Sequence, residues 1–137
     1  MSFFDFWTEA IAIDLGTANT LIIHNDKVVV DSPSIVAIDQ KSGKIIAVGK
    51  EANMMHGKTH KNIETVRPLK DGVIADFNAS EQMIGQLIKS IPTLNKKFYS
   101  PALKMVICIP SGITEVEMRA VRESAVRVNG NEAVSYT

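Results

Sequence analysis

The sequence predicts an α/β fold in which helices cover a mixed sheet. Three apolar runs rich in β-branched residues follow one another near the start of the chain, at residues 10–15, 20–24 and 27–31. Later the pattern changes to helix, strand, helix, with an unbroken apolar run at residues 104–109 between two segments of helical periodicity. Strands followed by helices that flank one buried strand favour a mixed sheet with helices packed on it.

Polar turn residues divide the first part of the chain into short strands. Asn25 and Asp26 separate the second and third apolar runs, so the three runs are expected to form an antiparallel meander. Beyond it we expect two strands, a short helix and a polar loop, at residues 32–39, 44–50, 51–56 and 57–64. Ser42 and Gly43 would form the turn between the two strands, and Gly57 would end the helix.

The spacing of apolar residues predicts a helix over residues 78–91. Five of them recur three and four positions apart and would form one buried face: Met83, Ile84, Leu87, Ile88 and Ile91. Asn78 and Glu81 have the spacing of a capping box at the start of this helix, and Pro92 follows its end.

A second helix is predicted over residues 114–126. Thr114 and Glu117 can form a capping box, and the acidic residues come early and the arginines late, as the helix dipole favours. The apolar face of this helix would consist of Ile113, Val116, Ala120, Val121 and Ala125.

Composition restricts the classes of function. The chain has 137 residues, enough for one domain with a buried core, and its 15 Lys and Arg balance its 15 Asp and Glu. This balance does not favour nucleic acid as a partner. The single cysteine, Cys108, excludes an intrachain disulfide and lies in the apolar run MVICIP, so we expect a buried, inert thiol in a reducing cytoplasm. No apolar run reaches the ~20 residues of a membrane span.

The stretch AIDLGTANTLII, residues 12–23, combines two strands with a turn that can bind a phosphate. Gly16 allows close approach of a ligand to the backbone, and Thr17, Asn19 and Thr20 add side-chain donors beside small Ala18. Asp14 would repel a phosphate but suits a hydrated Mg²⁺, which takes only one or two carboxylates. The alternative is a plain strand–turn–strand in which Asp14 and Thr17 bond the local backbone.

This stretch resembles the first phosphate motif of the actin, Hsp70 and sugar-kinase superfamily. Together with PSIVAID, VRPLKDGVIADF and IPSGITEVEMRAVRESA it is similar to the MreB-type bacterial actins, in the same order and over residues 10–125. The resemblance implies the α/β actin-like ATPase (ribonuclease H-like) fold, of which this chain would hold the first half only. It implies an N-terminal segment, an incomplete first major subdomain and a small inserted α/β subdomain, at residues 1–9, 10–31 with 77–137, and 32–76.

The same resemblance implies that the chain binds ATP and Mg²⁺. Gly16, Thr17, Ala18 and Asn19 would contact the phosphates and Asp14 the metal ion, and no residue is assigned a catalytic role. The second, DxGGGT-like phosphate turn and the acidic motif that positions the attacking water in the family do not occur in this sequence. We therefore expect weak nucleotide binding and negligible hydrolysis by this chain alone. The alternatives are a chaperone or sugar kinase of the same superfamily, or a nonfunctional remnant.

The N-terminal segment MSFFDFWTE has the pattern of a short amphipathic helix. At 100° per residue Phe3, Phe4 and Trp7 share one face, with Phe6 flanking, which suits a membrane interface. The alternative is a disordered terminus or a strap packed on the core. The resemblance implies a cytoplasmic protein, peripheral at the inner face of the cell membrane, whose partners are further copies in a filament and the cell-elongation and wall-synthesis machinery.

Overall fold

The structure is a computed structural model that describes residues 8–58, 61–92, 102–108, 114–129 and 132–136. The strands in these ranges are β1 Thr8–Leu15, β2 Asn19–His24, β3 Lys27–Pro33, β4 Val36–Asp39, β5 Ile45–Val48, β6 Ile63–Val66, β7 Leu69–Lys70, β8 Val73–Ile74, β9 Ala102–Cys108 and β10 Glu132–Tyr136. The helices are α1 Gly49–Met55, α2 Phe77–Lys89 and α3 Glu115–Asn129.

The larger sheet has five strands in the order β10-β9-β1-β2-β3 and is mixed, as predicted. Its β1, β2 and β3 form the expected antiparallel meander, whereas β9 runs parallel to β1 and to β10. Asn25 and Asp26 form the two-residue turn between β2 and β3, with φ of 51° and 59°. This left-handed backbone conformation is typical of a hairpin whose turn matches the twist of its strands.

A smaller three-stranded sheet, in the order β5-β4-β6, lies between β3 and α2 in the chain. Gly43, with a φ of 69°, lies in the predicted turn between β4 and β5. Asp39 stabilises the same turn: the Ser42 hydroxyl donates to its carboxylate at 2.7 Å and lowers its pKa, with help from the Lys41 backbone N–H. Gly57 follows the short helix α1, as predicted.

Two predictions about this region are wrong. Residues 57–64 were expected to form a loop because they are mostly polar, but Ile63 and Glu64 begin β6. This strand pairs with β4, the central strand of the smaller sheet. Ser32 and Pro33 were expected to start a new strand, but they end β3 because their partners Thr20 and Asn19 on β2 extend the ladder that far. The predicted subdomain boundaries at residues 32 and 76 stay a prediction.

The main hydrophobic core joins the two sheets to α2 and α3. The predicted face of α2 is fully inside it, since Met83, Ile84, Leu87, Ile88 and the following Ile91 are all buried. The larger sheet contributes alternate residues, namely Ile11, Ile13, Leu15, Ile22, Met105 and Ile107, and the rest of the cluster includes Val36, Leu69, Ile74 and Val121. This alternation shows that α2 and α3 pack on one face of the larger sheet.

The start of α2 differs from the prediction. Its N-cap is Asp76, whose extended backbone precedes the helix and whose side chain accepts a hydrogen bond from the Ala79 N–H at 2.9 Å. Asn78 is already helical, and its side chain instead accepts from Gln82 one turn further on, at 3.1 Å. The capping box of α3 is confirmed: Glu117 accepts from the Thr114 N–H at 2.8 Å, and its own N–H donates to the Thr114 hydroxyl at 3.3 Å.

Two side chains predicted to be buried are exposed. Val116 is 80% exposed because it lies about 200° around the helix from Met118, which packs on the core. Cys108 is exposed because alternate residues of β9 face opposite sides of the sheet, and only the side of Met105 and Ile107 is covered in the described residues. Among the described residues, no helix has both the length and the apolar character needed to cross a bilayer.

Mutation can distinguish Asp76 from Asn78 as the N-cap of α2. Asp76→Ala removes the acceptor of the Ala79 N–H and should lower the free energy of unfolding by about 1 kcal/mol. Asn78→Ala is the matched control and should change it by less than about 0.5 kcal/mol, since it removes only an exposed contact. Urea unfolding followed by circular dichroism measures both. A larger loss for Asn78→Ala than for Asp76→Ala would contradict this assignment.

Candidate functional site

The first turn, residues 16–19, connects β1 to β2 and depends on a glycine at its start. The Gly16 N–H donates to the carbonyl oxygen of Asn19 at 3.2 Å, which closes the turn tightly. A Cβ placed on Gly16 would lie 2.5 Å from that same oxygen, so any larger residue would have to displace the backbone. Gly16 is therefore required by close backbone packing within the turn.

A buried serine, Ser34, forms hydrogen bonds to the first turn. The Ser34 side chain is 0% exposed, and its hydroxyl donates to the carbonyl oxygen of Gly16 at 2.7 Å. It also lies 2.8 Å from the buried hydroxyl of Thr20. Because Ser34 has a single hydroxyl proton and gives it to Gly16, Thr20 is the donor in this pair. The Ser34 N–H donates to the Ala18 carbonyl at 2.8 Å.

These contacts determine where the N–H groups of the first turn point. The carbonyl of one residue and the N–H of the next belong to a planar trans peptide and point in opposite directions, and the described residues contain no cis peptide. Because Ser34 holds the carbonyl of Gly16 inward, the N–H of Thr17 points outward. In the described part of the chain, no hydrogen bond occupies the N–H groups of Thr17 and Ala18. Adjacent free N–H groups in a turn are suited to binding an anion.

A segment of the chain far from the first turn in sequence also contacts it. The N–H of Gly72 donates to the Thr17 hydroxyl at 3.2 Å, and Nη1 of Arg67 donates to the Ala18 carbonyl at 3.5 Å. Asp71 and Gly72 form the turn of the β7–β8 hairpin, with φ of 50° and 73°. Ser34, Arg67 and Gly72 were not predicted to contact the turn, although they belong to the segments PSIVAID and VRPLKDGVIADF that support the resemblance.

Two of the side-chain donors considered in the sequence analysis point away from the turn. The Asn19 amide donates to Asp31 on β3 at 3.4 Å, and the Thr20 hydroxyl is buried against Ser34. Thr17 accepts from Gly72, so its own hydroxyl proton stays available. The first turn thus offers backbone N–H groups and one hydroxyl.

Asp14 lies two residues before Gly16, on the open face of the larger sheet. Its side chain is exposed and points away from the face that carries Ile13 and Leu15. In the residues that the structure describes, no hydrogen bond occupies its carboxylate, and no cluster of three or more His, Cys, Asp or Glu side chains could hold a metal ion. A single free carboxylate fits Mg²⁺, which keeps most of its waters and binds substrate phosphates directly.

Known proteins have sequences similar to this one. The model of the family described as MreB/Mbl protein matches residues 8–136. The cell shape-determining protein MreB of Pasteurella multocida is 46% identical over 127 residues, which is 89% of this chain and 36% of that protein. The cell shape-determining protein Mbl of Bacillus subtilis is 48% identical over 121 residues, 88% of this chain and 35% of that protein. The chain therefore spans little more than a third of the length of these relatives.

Solved structures share the fold. MreB5 of Spiroplasma citri bound to ADP has a TM-score of 0.79 and 35% identity, over 94% of this chain and 38% of that one. The MamK double helical filament has a TM-score of 0.72 at 18% identity, over 93% of this chain and 40% of that one, and shows the fold alone. Both are actin-like, so the mixed α/β architecture is part of an actin-like fold. With the family match over nearly its whole length, the chain belongs to the MreB/Mbl family.

Proposed function

We propose that this chain carries one side of the nucleotide site of an actin-like, ATP-dependent protein that determines cell shape. The observation that carries the proposal is the first turn, where no hydrogen bond within the described residues occupies the N–H groups of Thr17 and Ala18, together with the exposed carboxylate of Asp14 two residues before it. The crystal structures of MreB5 of Spiroplasma citri, bound to ADP and to AMPPNP, support a nucleotide as the ligand. The shape-determining relatives count against a chaperone or a sugar kinase.

In this proposal each residue of the first turn has a distinct task. Gly16 keeps the backbone close, and the N–H groups of Thr17, Ala18 and Asn19 point at the phosphate oxygens. Asp14 would hold Mg²⁺, and the ion would offset the negative charge of the phosphates. The turn binds and orients, and none of its side chains is suited to act as a general base. We therefore infer a binding role for these residues and assign none of them to catalysis.

One turn provides only part of a nucleotide site. Charge-assisted hydrogen bonds each contribute about 1.5–3 kcal/mol, and a bound nucleotide also gains from contacts to its base and ribose. The described residues offer the phosphate contacts alone. We infer that the 137-residue chain by itself binds nucleotide weakly and hydrolyses it negligibly.

We further propose that the whole protein assembles into filaments at the inner face of the cell membrane, where it guides the wall-synthesis machinery during elongation. The double helical filament of MamK, which has the same fold, supports self-assembly. The proposed membrane contact consists of Phe3, Phe4, Phe6 and Trp7, which lie outside the described residues. A single copy would bind a bilayer weakly, and a filament would bind through many copies at once.

The role of the first turn can be tested with Gly16→Ala. The added Cβ would lie 2.5 Å from the Asn19 oxygen, so the turn must open and its N–H groups lose their common direction. We expect millimolar Mg-ATP to shift the amide NMR signals of Thr17 and Ala18 in the wild-type chain. The affinity measured from these shifts should fall at least about tenfold in the variant, as the loss of one or more charge-assisted bonds implies.

Gly43→Ala is the matched control for this experiment. Gly43 has a φ of 69° and open space around it, so the substitution strains the β4–β5 turn without a clash. It should lower stability by about 1–2 kcal/mol while it leaves nucleotide binding unchanged. Equal nucleotide affinity in Gly16→Ala and wild type would contradict the assigned role of the first turn.

The membrane contact can be tested with liposomes. Replacing Phe3, Phe4 and Trp7 with serine should abolish co-sedimentation, because each aromatic contributes at most about 1.5–3 kcal/mol when buried and all three would be lost. Met54→Ser is the control, since this methionine is 62% exposed on α1. Its replacement measures how much non-specific apolar surface contributes to liposome binding. Unchanged binding of the triple variant, or equal loss in the control, would refute a specific N-terminal contact.

A further inference from the structure

We propose that Arg67 is a positioning residue for the phosphates, which contacts the Ala18 carbonyl and supplies the positive charge that the first turn lacks. This inference rests on the proposed nucleotide site and deepens it. Arg67 lies between β6 and β7, 49 positions after Ala18 in the chain, and its guanidinium reaches the turn at 3.5 Å.

The need for a cation follows from the sequence around the turn. Residues 12–24 contain the negative charge of Asp14 and neither lysine nor arginine. Many phosphate-binding loops carry a lysine that reaches the terminal phosphates, and this one does not. In the described part of the chain, Arg67 is the cationic side chain whose hydrogen bond reaches the first turn. It is therefore the residue placed to balance the charge of a bound phosphate.

The guanidinium of Arg67 has N–H groups left for a ligand. Arginine carries five N–H groups in a planar fork, and one of them is used by the Ala18 carbonyl. Within the described residues no other acceptor binds Arg67, and its side chain is half-buried beside the turn. The free donors match the oxygens of a phosphate, which arginine recognises with two parallel hydrogen bonds.

The backbone around Arg67 is held on both sides. Val66 before it pairs with Val36 in the small sheet. The carbonyl of Pro68 after it accepts from the N–H groups of Ala75 and Asp76, at 2.8 and 3.2 Å, and Leu69 is fully buried. The side chain thus projects from a fixed point of the backbone, so that only its own rotamers are ordered when it meets a ligand.

The contact with Ala18 affects the ligand side of the turn. The Ala18 carbonyl accepts hydrogen bonds from both Arg67 and the Ser34 N–H. Because this carbonyl and the N–H of Asn19 belong to the same trans peptide, the Asn19 N–H points in the opposite direction. At 3.5 Å the bond from Arg67 is long and contributes little to folding on its own. If the hydrogen bond to Ala18 were its only role, loss of Arg67 would change stability little and would leave the salt dependence of phosphate binding unchanged.

The test compares Arg67→Gln, Arg67→Lys and wild type, with Lys44→Gln as the control. Lys44 is exposed near the β4–β5 turn, so the control removes the same charge away from the first turn. Binding of Mg-ATP and of inorganic tripolyphosphate is measured by amide NMR shifts at low and high salt, and stability by urea unfolding. We expect Arg67→Gln to lose about tenfold in affinity for both ligands and Arg67→Lys to recover part of it.

The salt dependence of binding gives a second readout. The affinity of Arg67→Gln should fall less with added salt than that of wild type, because one charged contact is missing. Lys44→Gln should match wild type. Unchanged affinity and salt dependence in Arg67→Gln, while the wild-type amides of Thr17 and Ala18 respond to the ligands, would overturn the role of Arg67 and leave the nucleotide site standing. No response of those amides in wild type would overturn both.

Discussion

The hydroxyl of Ser34 is the contact on which the geometry of the first turn depends. It is buried, it gives its only proton to the Gly16 carbonyl, and it accepts one from Thr20. A buried carbonyl left without a donor costs about 1–3 kcal/mol, so this arrangement has no inexpensive alternative. Because Ser34 follows β3 directly, the same hydroxyl fixes the turn to the connection between the larger and the smaller sheet.

A second close contact joins the two sheets at Gly49, the first residue of α1. Its φ of 62° favours glycine, and a side chain there would collide with Ser32. The Gly49 N–H donates to the Ile35 carbonyl at 2.8 Å, which fixes the start of α1 against the segment after β3. The smaller sheet therefore lies next to α2, and residues of both sheets belong to one core. This packing brings Arg67 and Gly72 to the first turn.

Local patterns in the sequence predicted the elements whose burial follows their own periodicity. The face of α2 was correct in full, because five apolar residues at helical spacing need one surface to pack against. The predictions that failed each depended on a distant part of the chain. Asp76, and not Asn78, is the N-cap of α2, because the hairpin before α2 places the chain in extended conformation up to Asp76. The segment of β6, which follows a polar stretch, became a strand because β4 offers it an edge to pair with.

The sequence by itself determined the family, the meander, the main helices and the place of the first turn. These follow from residue order and spacing, and they include Gly16 and Asp14 as candidate ligand residues. Only the tertiary structure decided which residues hold that turn. Ser34, Arg67 and Gly72 contact it from up to 55 positions away along the chain, through one or two hydrogen bonds each. Such contacts have no periodic signature, because they exist only once packing has brought separate strands to the same point.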